Sequence, residues 1–179
     1  MERVLFLNYL SMNSPKDALL EYKRQHRLFV TSALYIQRNA IVTSMTGVRG
    51  DDRFIEALET LKEHKNKYNY PTMYLDSDCV LMNPIDDLFD NYDFDVGVVY
   101  RYHWIKDKND IMRHLGKKVY RQSTGNHDCL GGFLFFPQKR KDAEEYFLDK
   151  LIKKTEEHYM KEKKSKGTPW FYDQFAIND

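Results

Sequence analysis

Apolar, strand-like segments alternate with amphipathic, helix-like ones along this 179-residue chain. That alternation predicts an α/β layer structure with a mixed, mostly parallel central sheet flanked by helices. Two further observations agree. Hydrophobic residues make up 42% and aromatics 15%, enough to build a real core. No Gly/Ser/Pro-rich linker and no internal repeat interrupts the pattern, so residues 1–179 read as a single domain.

Arg3 to Leu10, RVLFLNYL, reads as a buried strand. NSPKDALLEYKRQ reads as a short helix; Ser14 can cap it, and Pro15 suits the first helical position, where no N–H is needed. RLFVTSALYIQRNAIV is ambiguous: Phe29, Ala33, Ile36 and Ala40 recur at helical spacing, yet β-branched residues are frequent. Helix is the expectation there. In DRFIEALETLKEHKNKY, Phe54, Leu58 and Leu61 share one face of an amphipathic helix.

YPTMYL reads as a strand ending at Asp76, and VLMNP and DVGVVY as two further strands. NDIMRHLG is expected to be a short helix closed by Gly116, and GGFLFFP a strand opened by two glycines. DAEEYFLDKLIKKTEEHYMKEKK reads as a long helix. Asp142 and Glu145 have the spacing of an acidic capping box, and Phe147, Leu151 and Ile152 mark its buried face. Gly167 is expected to stop this helix, and Thr168 and Pro169 to open a last one in PWFYDQFAIND.

The net charge is +1 with both signs mixed, so no basic field favours a nucleic acid. Cys79 and Cys129 read as free thiols in a reducing compartment rather than as a disulfide. No apolar run approaches the roughly 20 residues that span a bilayer. MERVLFLNYLSMNS lacks a basic n-region followed by a small-residue cleavage site. The expectation is a soluble, cytoplasmic protein with no membrane span.

In open α/β sheets, ligands bind beyond the carboxyl ends of strands. MYLDSDCVLMNP puts Asp76 and Asp78 at that end of the strand TMYL. Asp93 and Asp95 form a second D-x-D, but they precede the strand VGVVY and so lie at its amino end. Position therefore singles out the first pair. Carboxylate oxygens suit a hard divalent cation such as Mg²⁺ or Mn²⁺, which keeps positions open for water and phosphate. A solvated turn built on two turn-forming aspartates is the competing reading of the same residues.

MYLDSDCVLMNPIDDLF resembles the metal-binding core of GT-A fold glycosyltransferases: an apolar strand, D-x-D, a second apolar strand and often P-x-x-x-LF. CLGGFLFFP resembles the family's strand that lines donor sugar and acceptor, and WFYDQFAIND its "DQ" helix near the reaction centre. The blocks stand in family order between Asp52 and Asp179. They are closest in style to family-8-like enzymes and to small glycosyltransferases encoded by large DNA viruses.

The resemblance implies the GT-A fold and transfer of a sugar from a nucleoside diphosphate, a UDP-sugar, to a hydroxyl of a carbohydrate or glycoprotein acceptor. It implies Mn²⁺ or Mg²⁺ as cofactor. Asp78 matches the aspartate that binds the cation directly, and Asp76 the one shared between metal and ribose. Arg53 stands where the family often has a basic residue near the diphosphate; a solvated arginine at a helix start is its ordinary role. Gly131 and Gly132 match the small pair that lets a sugar approach the backbone. Asp173 and Gln174 match the DQ pair, with the carboxylate toward the donor sugar; a first-turn aspartate favoured by the helix dipole is the plainer alternative. Asp128, beside His127, is the other carboxylate that could act as general base. Tyr100, Tyr102 and Trp104 could stack on an acceptor sugar and Arg101 bond its hydroxyls, although aromatics in such places are more often packing residues.

The chain departs from the pattern in two places. Leu130-Gly131-Gly132 replaces the frequent N-A-G, and no histidine follows His158, where many members take a third metal ligand. Other functions fit less well. A nucleotidyltransferase of related fold wants an early glycine-rich phosphate loop, and none of the eight glycines forms one in the first strand–helix turn. Two aspartates without histidine ligands make a poor two-metal phosphodiesterase site. A non-catalytic sugar-binding domain could share the fold, and turnover of a UDP-sugar would separate it from an enzyme.

Overall fold

A computed structural model describes residues 3–11, 16–47, 53–101, 128–164 and 176–177. In chain order they form β1 (Val4–Ser11), α1 (Lys16–Ile36), β2 (Ala40–Gly47), α2 (Arg53–Tyr68), β3 (Thr72–Leu75), α3 (Asp86–Asp90), β4 (Gly97–Arg101), β5 (Asp128–Phe136) and α4 (Lys141–Lys164). The strands make one sheet in the order β2-β1-β3-β5-β4. β1 runs parallel to β2 and β3, whereas β5 is antiparallel to both β3 and β4. β1 to β4 therefore share one direction and β5 alone reverses it. The carboxyl ends of four strands and the amino end of β5 meet at one edge.

The sheet is covered on both faces, which explains the nearly continuous apolar run of β1. Alternation along that strand divides its side chains. Leu5 and Leu7 face a core shared with Leu58 and Leu61 of α2 and Leu148 and Leu151 of α4. Val4 and Phe6 face the other core, with Phe29 and Ala33 of α1 and Phe89 of α3. β3 and β5 split the same way: Tyr74, Leu134 and Phe136 go to the first core, Met73 and Leu75 to the second. Each such side chain taken wholly out of water contributes about 1.5–3 kcal/mol.

Several local expectations need correction. The two helical segments before residue 37 are one helix, α1, and AIV does not continue it. Gln37–Asn39 turn the chain, and Ala40–Gly47 form β2, paired in parallel with β1. There the β-branched residues prevailed over the helical spacing that Ala40 suggested, because β1 supplies a ladder partner. VLMNP is not a strand: residues 80–84 are irregular, and Asp86–Asp90 form the short helix α3 instead. The Asp142–Glu145 capping box does not form, because Lys141 is already helical and Glu145 accepts a hydrogen bond from Asn66 of α2 at 3.0 Å. The cap assigned to Ser14 and Pro15, the helix NDIMRHLG, and the residues Gly167, Thr168 and Pro169 lie outside the described residues. From PWFYDQFAIND only Ala176 and Ile177 are described; both are helical and pack on the first core.

Candidate functional site

β3 ends at Leu75, and the chain leaves the sheet through Asp76-Ser77-Asp78-Cys79. The Cys79 amide donates to the Asp76 carbonyl at 3.1 Å, closing a β-turn with the aspartates at its first and third positions. Asp is favoured at the first position of such turns, so turn formation accounts for part of the D-x-D pattern. Both aspartates are exposed, at the carboxyl edge of the sheet.

The neighbouring strand fixes Asp76. Its amide donates to the Gly132 carbonyl at 3.0 Å, extending the β3–β5 ladder by one step. A Cβ on Gly132 would strike the Asp76 carboxylate, which lies over the bare Cα. Glycine lets the carboxylate take that position; a larger residue would turn it aside. The glycine pair also sits where the β4–β5 register breaks. Val98 pairs with Leu134 but Val99 with Leu130, so residues 131–133 bulge out of the β4 ladder. Bulges recur beside sites because they re-aim the strand.

Beyond the bulge, β4 and β5 continue past the end of β3. Asp128, the first residue of β5, is opposite Arg101, the last of β4, on the same edge. Tyr100 is opposite Cys129. The backbone of Arg53 opens α2 on this edge too, since Glu56 in the same turn accepts a 2.6 Å hydrogen bond from Tyr9 near the carboxyl end of β1. Asp76, Asp78, Asp128, Gly131, Gly132 and Arg53 therefore belong to one edge by chain position. Asp173, Gln174, His127, Tyr102 and Trp104 lie outside the described residues.

Two carboxylates on an exposed turn suit a hard cation that takes its other ligands from phosphate and water. Among the described residues, no three His, Cys, Asp or Glu side chains gather as a ligand set. Cys79 reports the local field. Burial first, then the charges of Asp76 and Asp78, push its thiol up to about 12, against a pull from a hydrogen bond between the Asp76 backbone and the sulfur. Cys79 is a free thiol. The second D-x-D has another role. Arg140 grips Asp95 at 2.7 Å and Asp93 at 3.1 Å, tying the start of β4 to the start of α4.

Two polar groupings had no signal in the sequence, because their members are distant in the chain. One is Tyr9–Glu56; a Cβ on Gly47 would meet both of its side chains. The other joins buried Asn8 to His26 at 2.6 Å and His26 to Ser44 at 2.8 Å, linking β1, α1 and β2. A cavity of about 500 Å³ lies at the opposite edge of the sheet, between Val4, Pro71, Phe89 and Pro137. It contains Asn69 and Gln138, which have φ of 51° and 61°. The Asn69 amide bonds the Lys65 carbonyl at 3.1 Å, so its left-handed turn ends α2. Asp86 in that wall is already held by Gln37 at 2.8 Å. Asn69 and Asp86 thus serve the fold, whereas Gln138 Nε2 in the same wall is buried without a hydrogen-bond partner. The carboxyl edge, which carries the D-x-D turn and the glycine pair, is the candidate site.

No protein-family model matches the chain, and no curated protein matches it.

Proposed function

We propose that this protein is a metal-dependent glycosyltransferase of the GT-A fold that moves a sugar from a UDP-sugar to an acceptor hydroxyl. The observation that carries this reading is the pairing of the D-x-D turn with the glycine strand: Asp76 is hydrogen-bonded to Gly132 and its carboxylate occupies the space a Cβ would fill. The α/β sheet with one reversed strand and an exposed carboxyl edge is compatible with the same reading.

In this reading Asp76 and Asp78 hold Mn²⁺ or Mg²⁺, which supplies charge neutralisation to the leaving diphosphate. Gly131 and Gly132 let the donor approach the backbone, and Arg53 bonds the diphosphate. Asp173 and Gln174 orient the donor sugar, with Asp128 as the alternative carboxylate. The acceptor is a carbohydrate or a glycoprotein. Positioning and electrostatic stabilisation provide most of the acceleration.

The test is calorimetry of UDP binding with and without Mn²⁺. Asp78→Ala is expected to abolish Mn²⁺-dependent binding and to leave the circular dichroism spectrum unchanged, because Asp78 is exposed. Unchanged UDP affinity of the variant in Mn²⁺ would overturn the metal assignment.

A further inference from the structure

Helix α1 lays Phe29 and Ala33 on the sheet and turns a second apolar set outward. Leu20, Leu28 and Leu34 are each more than half exposed, and Tyr35 is 83% exposed. At 3.6 residues per turn these fall on the arc opposite Phe29, interleaved with the exposed cations Lys23, Arg24 and Arg27. Glu21, on the border of that arc, is 3.7 Å from Arg24. The face is therefore both apolar and net basic.

The loop after the D-x-D turn extends it. The Leu81 amide donates to Ser32 Oγ at 3.0 Å, pinning the loop to α1 one turn from Leu28 and one turn from Tyr35. Val80 and Met82, on either side of Leu81, are 51% and 74% exposed. The exposed apolar side chains of the loop thus flank a residue bonded to α1, and this loop is the one that leaves Asp76 and Asp78.

We propose that the outer face of α1, together with residues 80–82, docks this protein on an anionic membrane surface. Charge selects the occupant. Two copies meeting through the helix arc would oppose like charges, whereas anionic headgroups complement its three cations; the exposed Asp76 and Asp78 at the start of the loop oppose that attraction. Shape selects it further. The apolar set runs along about 22 Å of helix axis rather than forming the central cluster typical of a protein interface. Leucines and a tyrosine can enter the headgroup boundary while the cations keep their charged ends at the phosphates. Among the described residues no helix is long and apolar enough to cross a membrane. The inference uses no step of the proposed sugar transfer and can fail or hold independently of it.

The test is co-sedimentation of the full chain, without nucleotide or metal, with vesicles of phosphatidylcholine alone or mixed with phosphatidylserine. Binding to the mixed vesicles, lost at high salt and about tenfold or more weaker on phosphatidylcholine, is expected. Lys23→Gln, Arg24→Gln and Arg27→Gln should each weaken partitioning about fivefold. Leu28→Ser with Tyr35→Ser should weaken it about tenfold or more. Lys153→Glu, exposed on α4 across the sheet, should bind as the parent does. All these side chains are exposed, so the variants should keep the parent spectrum; the three single glutamine changes decide the matter if the serine pair does not fold. A parent chain that stays in the supernatant overturns the proposal, as does pelleting that ignores these changes. A dimer seen by sedimentation velocity and abolished by Leu28→Ser would assign the face to a second copy and overturn it. Equally tight binding to soluble polyglutamate, insensitive to Leu28→Ser, would assign it to an acidic polypeptide and overturn it too.

Discussion

Gly132 and His26 show what a single residue does here. A methyl group at Gly132 would run into the Asp76 carboxylate across the ladder. Because that carboxylate is the exposed end of a flexible side chain, Gly132→Ala is expected to displace it at a cost below about 1 kcal/mol. It should also weaken Mn²⁺-dependent UDP binding if Asp76 serves the cation. Urea unfolding and calorimetry on the same preparation read the two effects separately. A loss of stability well beyond that would show that the carboxylate is held in place. His26 sets a pH dependence. Burial holds its pKa below the ordinary 6.5, so its neutral form is favoured in the fold. Its ring contacts, Asn8 and Ser44, are uncharged. Between the lowered folded value and 6.5 the unfolded chain binds more protons, so stability rises with pH in that window and is lost as pH falls through it. The melting temperature should drop on acidification below pH 6.5, and His26→Gln should remove that part of the slope. A melting profile identical in both proteins would show that His26 does not titrate in the window.

Between elements, the α2–α4 contact is the most consequential for stability. Lys65 Nζ lies 2.7 Å from Glu144 Oε2, and the two side chains are 1% and 0% exposed. The Lys65 ammonium also stands 5.6 Å from the Phe136 ring centroid. Neither Glu144 oxygen receives an aligned hydrogen bond, so the carboxylate's compensation is mainly the ion pair. Removing one partner leaves a bare buried charge. Lys65→Met is expected to cost about 3–5 kcal/mol, while Lys65→Met combined with Glu144→Met should recover most of that loss. Urea denaturation of the two single variants and the double closes the cycle. Additive losses in the double variant would mean that the charges are not coupled. Local sequence pattern held no hint of this pair. Lys65 stands among the charged residues near the end of α2, and Glu144 sits in the first turn of a helix whose buried face was read from Phe147, Leu151 and Ile152. Those three do lie toward the core, but Glu144, Leu148 and Thr155 are the wholly buried positions.

For the whole molecule, the central question is whether two cores behave as one. Phe6 and Leu7 are successive residues of β1, both fully buried, facing opposite sides of the sheet. Phe6→Ala is expected to cost about 3–5 kcal/mol and Leu7→Ala about 2–5 kcal/mol. Because one strand supplies both cores, each change should lower a single transition that far- and near-ultraviolet circular dichroism trace at the same midpoint. Separate midpoints would mean that the α1 side and the α2–α4 side unfold independently.

Periodicity and punctuation alone determined the α/β class, β1, β3, β4, the Phe133–Phe136 half of β5, α2, most of α4, and the D-x-D at the carboxyl end of its strand; β5 begins at Asp128, so Gly131 and Gly132 lie inside it rather than opening it. These follow from local rules: an apolar run for a doubly covered strand, a 3.6-residue stripe for a helix, and aspartates where a strand gives way to a turn. The separation of the two D-x-D pairs was legible for the same reason, and Arg140 accounts for the one at the amino end. Other features depended on partners distant in the chain. Residues 40–47 became a strand because β1 offers its ladder, and residues 80–84 stayed irregular while Ser32 and Gln37 of the α1 segment bond Leu81 and Ile85. The glycine pair was legible as small residues, but its contact with Asp76 was not. That contact needs β5 to reverse direction and lie beside β3 with Phe133 opposite Leu75. Local preference cannot encode such a register. It is set by which face of each strand the two cores bury, and only the folded sheet decides that.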